Sequence, residues 1–209
     1  MVKVVKDDRL PRIEAFAKIE MYEDVTASCS IEDSSFALGT ISGKLLIYQL
    51  DNLVCQSDLG SEIISIFPHG DGVIAASNIG LVQCLDKIPT WELNVTSGID
   101  NFVFSGVFGY FSDSNGEVVV IDPEGNQIYS RFHEDVNRLA ASKDGDLFAI
   151  AKTDGTLIIS TPSNELLQNS SADESDIETI SQICFRQDGV LLACRDSLGF
   201  TLDDGPENR

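Results

Sequence analysis

The sequence predicts an all-β fold, a β-propeller of five four-stranded blades whose last blade is closed by an N-terminal strand. Three observations predict it. A phrase of turn, apolar run, polar residues, glycine and second apolar run recurs at Ser35–Ile47, Gly72–Cys84, Gly106–Val120, Gly145–Ile159 and Gly189–Leu202. Gaps of 37, 36, 39 and 44 residues separate the glycines Gly43, Gly80, Gly116, Gly155 and Gly199, the period at which short strands repeat as propeller blades. The apolar runs are rich in Val, Ile, Leu and Phe and sustain no 3.6-residue period, which favours strands over helices.

The elements follow in chain order. The first blade reads as strands over Val25–Ile31, Ser35–Thr40, Lys44–Leu50 and Asn52–Asp58. The second reads Ile63–Phe67, Val73–Ser77, Leu81–Leu85 and Trp91–Val95, and the third Asn101–Phe104, Phe108–Ser112, Glu117–Asp122 and Gln127–Phe132. The fourth reads Val136–Ala141, Leu147–Lys152, Thr156–Ser160 and Glu165–Gln168. Between them, Asp71-Gly72, Ser114-Asn115-Gly116, Asp154-Gly155 and Asp188-Gly189 offer the positive φ that tight hairpins need.

The fifth copy supplies three strands, Ile180–Phe185, Val190–Arg195 and Phe200–Leu202. Residues 12–20 put Ile13, Ala15, Ala17 and Ile19 on one face and Glu14, Phe16, Lys18 and Glu20 on the other. That period of two suits a half-buried edge strand, which would complete the fifth blade and close the ring. The alternative is that these blades are part of a larger ring. The expected organisation is an N-terminal extension 1–11, a propeller 12–203 and a polar tail 204–209. The blades fall at about 24–58, 62–97, 100–132, 135–168 and 176–203, with 12–20 as the closing strand.

Charge narrows the partners. Thirty-four acidic against fourteen basic residues give a net charge of −20. Nucleic acid and anionic membrane both demand a basic patch, so a basic protein, a cation or a high-salt medium fits better. No run approaches the length of apolar residues that a membrane-spanning helix needs, and no secretory leader is visible at the N-terminus. Five cysteines without paired spacing are expected as buried free thiols, and the chain as cytoplasmic, in a reducing compartment.

The fourth repeat, Phe132–Ile159, resembles a WD-repeat blade. It carries His133 before the inner strand, Ser142-Lys143-Asp144-Gly145 at the first turn and Asp154-Gly155 at the second. The fifth keeps Phe185-Arg186-Gln187-Asp188-Gly189, and the resemblance extends from Asp24 to Leu202. No repeat has the Gly-His pair or the terminal Trp-Asp of typical blades. The resemblance implies a non-catalytic platform for protein complexes.

An acid precedes or opens every inner strand: Asp24, Glu62, Asp100, Asp135 and, ahead of Ile180, Glu178. Inner strands run beside the central channel, so these carboxylates are expected to ring one mouth of it. Crowded carboxylates repel and invite a cation or a Lys/Arg side chain of a partner. Hard oxygen ligands would favour calcium or magnesium, and no other cofactor is expected. Paired carboxylates also serve glycoside hydrolysis, but the only tryptophan, Trp91, falls on a predicted outer strand rather than beside the channel. A carbohydrate-active or cation-binding propeller is therefore the alternative to a non-catalytic scaffold. Asp113-Ser-Asn115-Gly-Glu117 resembles a fragment of a calcium loop but lacks its frame, and reads as a hairpin turn. His69 and His133 stand away from any nucleophile motif.

The insertion Asn169–Thr179 is acidic and serine-rich and is expected as a solvated loop containing Ser170, Ser171, Asp173, Glu174, Ser175 and Asp176. Ser170, Ser171 and Ser175 each have an acid three residues on, the pattern acidophilic kinases accept. Partner binding is expected on rim loops Asp58–Glu62, Thr96–Asp100, Phe132–Asp135 and Asn169–Glu178.

Overall fold

The computed structural model describes residues 21–31, 34–86, 88–163, 166–170, 180–195 and 199–202. The proposed closing strand 12–20, Glu178, and the loop residues Ser171, Asp173, Glu174, Ser175 and Asp176 lie outside these residues, as do the extension and the tail. Among the described residues there are nineteen strands and no helix.

Consecutive strands pair antiparallel into five meandering sheets. Sheet 1 is β1 (Val25–Ile31), β2 (Ser35–Thr40), β3 (Lys44–Gln49) and β4 (Asn52–Asp58). Sheet 2 is β5 (Ile63–His69), β6 (Gly72–Ser77), β7 (Gly80–Leu85) and β8 (Ile88–Asn94). Sheet 3 is β9 (Ile99–Phe104), β10 (Gly109–Asp113), β11 (Glu117–Ile121) and β12 (Gln127–Phe132). Sheet 4 is β13 (Val136–Ala141), β14 (Phe148–Lys152), β15 (Leu157–Ser160) and β16 (Leu166–Ser170). Sheet 5 has three strands, β17 (Ile180–Phe185), β18 (Leu191–Arg195) and β19 (Gly199–Leu202).

The first strands of successive sheets lie side by side: β1 against β5, β5 against β9, β9 against β13 and β13 against β17. This radial order makes each sheet a blade, and apolar alternation makes the seams between blades. In β11, Val118 and Val120 face sheet 4 while Val119 and Ile121 face sheet 2. Both faces of a middle blade are thus core, which explains its near-continuous apolar strands. Four seams result, one per pair of neighbouring sheets. Each Val, Leu, Ile or Phe side chain fully buried there contributes about 1.5–3 kcal/mol.

One irregularity recurs in every blade. The first strand carries an extra residue against the second, at Thr26, Ile64, Asp100, Asn137 and Ser181. A bulge sharpens the local twist and re-aims the inserted side chain. Here it sits at the start of the inner strand, where neighbouring blades come closest.

The turns correct part of the sequence reading. Gly116, Gly155 and Gly189 do take positive φ, of 87°, 80° and 83°. At Asp71-Gly72 the left-handed residue is instead Gly70. Gly72 lies in β6, where a Cβ would meet the Cys84 carbonyl oxygen at 1.8 Å, so glycine is required there by close approach. Nor are all the cysteines buried: Cys55 and Cys84 are, Cys29 and Cys194 are half-buried, and Cys184 is exposed.

Candidate functional site

The bulged side chains decide how each seam is held at its inner end. At the first seam Thr26 Oγ1 donates to the Ile63 carbonyl of the next sheet at 2.6 Å. At the fourth, Asn137 Nδ2 donates to the Ile180 carbonyl at the same distance, and Arg138 Nε donates to the Ser181 carbonyl at 2.9 Å. Thr26 and Asn137 hold equivalent positions, and both reach the first residue of the following inner strand. At the second seam the bulge is apolar Ile64, packed into the core, and the backbone makes the link: Ile99 N donates to the Asn78 carbonyl at 2.7 Å.

The third seam differs. Its bulged residue is Asp100, which as a carboxylate only accepts, and it takes a 2.9 Å hydrogen bond from Ser114 Oγ within its own sheet. Beside it lies a cavity of about 360 Å³ lined by Asp100, Asp113, Ser114, Asn115, Gly116, Phe132, Glu134, Asp135 and Val136. Four carboxylates therefore line one space between sheets 3 and 4. Asp113 is buried, and its Oδ1 accepts from the backbone N–H groups of Asn115 at 3.0 Å and Glu117 at 2.7 Å. Those bonds fix the β10–β11 hairpin, so Asp113 is a turn-former that borders the cavity. Asp135 has a positive φ of 56° and its carbonyl accepts from Thr153 N at 2.9 Å.

Below this mouth the seam is tightly packed. Tyr110 stacks on Phe148 at 4.9 Å between centroids, and its hydroxyl donates to the Gly145 carbonyl at 3.1 Å. Burial pushes the Tyr110 hydroxyl well above its ordinary range. His133, half-buried beside the cavity residues Phe132 and Glu134, has its pKa lowered, first by burial and then by the charges of Arg131 and Lys152.

The structure brings two of the five predicted acids, Asp100 and Asp135, to one space and adds Asp113 and Glu134. Asp24 and Glu62 do not line it. They occupy equivalent places in sheets 1 and 2, where their carbonyls accept from Ile41 N and Asn78 N just as that of Asp135 accepts from Thr153 N. Asp100 is out of step with them. The inner strand of sheet 3 begins at Ile99, so Gly98 stands where Asp24, Glu62 and Asp135 stand, and Asp100 is the bulge itself. That strand begins two residues before the Asn101 start that the sequence predicts. Glu134 lies within the expected rim loop Phe132–Asp135, beside the candidate Asp135, whereas the sequence presents Asp113 only as a hairpin residue.

Trp91 sits on β8, with Nε1 donating to the Pro123 carbonyl at 2.9 Å. Gln83 Nε2 donates to the same oxygen at 2.8 Å. The ring lies so close to Gly125 that a Cβ there would meet it at 2.9 Å. The indole is a packing element between sheets 2 and 3, not a platform open to a sugar. Among the described residues no group of three or more His, Cys, Asp or Glu side chains is arranged to hold a metal ion.

No family model and no curated protein matches the chain. Solved structures do. The C-terminal WD40 domain of Sif2 superposes with a TM-score of 0.70 at 14% identity, over 82% of this chain and 55% of that one. A BBS1N structure, solved in complex with ARL6DN and soaked with lead, superposes with a TM-score of 0.67 at 14% identity, over 91% of this chain and 64% of that one. The fold is a divergent WD-repeat-like β-propeller. The propeller spans under two thirds of the length of either neighbour.

Proposed function

We propose that this propeller is a non-catalytic platform for protein–protein interaction, and that the acidic cavity between its third and fourth blades receives a lysine or arginine side chain of a basic partner. The observation that carries the reading is the third seam. Two other seams are joined there by a side-chain donor, while this one presents carboxylates beside an open space. A cationic side chain supplies donors to the carboxylates that line this space and offsets their negative charge in one step. The solved BBS1N propeller has a protein partner, and the net charge of −20 attracts basic surfaces and repels nucleic acid and anionic membrane. The odd number of cysteines, with no Cys-x-x-Cys spacing, favours a reducing, cytoplasmic setting.

The test is titration of a hexa-arginine peptide by calorimetry at moderate salt. Asp100→Asn/Asp135→Asn should weaken binding by about tenfold or more. The charge-matched control Asp51→Asn/Glu92→Gln, at exposed sites elsewhere, should leave it within about threefold. Equal losses from the two pairs would mean diffuse attraction and overturn the reading. A calcium-dependent rise in melting temperature, lost in the Asp100/Asp135 variant, would establish the cation-binding alternative instead.

A further inference from the structure

The third seam is fastened at one end only. At the end where the inner strands begin, Thr26 and Asn137 cross the first and fourth seams and the Ile99 amide crosses the second. Among the described residues no hydrogen bond joins β9 to β13. At the opposite end sheets 3 and 4 are locked together. The turn holding Gly145 lies so close to sheet 3 that a Cβ on that glycine would meet Val107 at 3.0 Å and Ser105 Oγ at 3.1 Å. The Gly145 carbonyl accepts from the Tyr110 hydroxyl, whose ring is stacked on Phe148. The unfastened end is the cavity, with Asp100 on the lip from sheet 3 and Glu134 and Asp135 on the lip that leads into sheet 4.

We propose that the third seam is a charge-controlled joint, in which sheets 3 and 4 pivot about the Tyr110, Phe148 and Gly145 contact and the carboxylates on the two lips drive the mouth open. Like charges on facing lips repel, and nothing bonds the lips to each other against that repulsion. Screening by salt, or removal of charge from one lip, draws them together. The bulged residues of the other three seams, Thr26, Ile64 and Asn137, carry no charge. Closure changes the angle between two blades and so the spacing of the rim loops Thr96–Asp100 and Phe132–Asp135. A cationic side chain entering the mouth is one more way of neutralising it, so binding and closure are linked. The joint involves the cavity of the proposed function but needs no partner, and it is tested without one.

The experiment uses the full chain carrying Val118→Cys, a buried position in the third seam at the mouth end of β11. Native Cys84, buried in the first seam, is the internal reference. Both thiols are alkylated with iodoacetamide under native conditions and their rates followed by peptide mapping. The ratio of the Val118→Cys rate to the Cys84 rate should fall about threefold or more when ionic strength is raised from about 0.01 M to about 0.15 M. Adding Glu134→Gln/Asp135→Asn should produce the same fall at low salt and abolish the response to salt. Val120→Cys, placed opposite Tyr110 at the pivot, should show neither effect. If Val118→Cys does not fold, Leu139→Cys on β13 gives the same readout from the other side of the seam. A ratio that ignores both salt and charge removal, or that falls equally at Val120→Cys, would overturn the joint. Loss of hexa-arginine binding alone would overturn only the partner reading.

Discussion

Asp100 and Asn137 occupy the same bulge in successive blades, and a single atom separates their behaviour. The amide of Asn137 donates across its seam and the carboxylate of Asp100 does not. Asp100→Asn should therefore supply the missing donor. We expect a gain of roughly 1 kcal/mol in urea denaturation, together with loss of cationic-peptide binding, since a functional acid is commonly held at the expense of stability. The reverse change, Asn137→Ala, leaves the Ile180 carbonyl without its partner and should cost about 1–3 kcal/mol by the same measurement. Gly125→Ala meets both a φ of 82° and the Trp91 ring. It should destabilise by about 2–3 kcal/mol, seen as a lowered denaturation midpoint with Trp fluorescence as the reporter.

At the scale of the element, a middle blade draws its stability from the cover on both its faces. Sheet 3 shows this in the alternation of β11 and in the Tyr110–Phe148 stack that ties it to sheet 4. Tyr110→Phe keeps the stack and loses only the bond to the Gly145 carbonyl, an expected cost of about 1 kcal/mol. Tyr110→Ala opens a cavity in the seam and should cost about 3–5 kcal/mol. Comparing the two by calorimetry separates the hydrogen bond from the packing. One element departs from what its sequence predicts. Strand types and order were legible from period-two alternation and turn residues. The start of β9 was not, because Thr96-Ser97-Gly98 looks like a loop up to Asp100, while pairing with β10 extends the strand back to Ile99.

For the whole molecule, the dominant electrostatic fact is the net charge of −20. Self-repulsion should make Tm climb by several degrees as sodium chloride is raised from low to physiological strength, most steeply at the dilute end. Acid works through His133. Its pKa is lowered in the folded state, so its neutral form contributes stability that is present above the unfolded value of 6.5 and lost as pH falls below it. His133→Gln should flatten the urea-midpoint profile between neutral pH and about pH 5, whereas an unchanged profile would assign that slope to other groups. Removing charge by acidification relieves repulsion at the same time, so the variant comparison carries the information rather than the wild-type curve alone.

The sequence by itself determined the repeat, the strand order, the all-β class and the excess of acid, because each is written in local terms: alternation, turn chemistry and composition act over a few neighbouring residues. It also placed Asp24, Glu62 and Asp135 directly before their inner strands, while Asp100 falls inside β9 at the bulge. Which of them share a space was decided only by the tertiary structure. Asp100 shares a cavity with Asp135 across thirty-five residues of chain because β9 and β13 lie side by side. The physical reason is register. A bulge of one residue turns a side chain from one direction to another, and its consequence is set by whatever the neighbouring blade places opposite, which no single repeat contains.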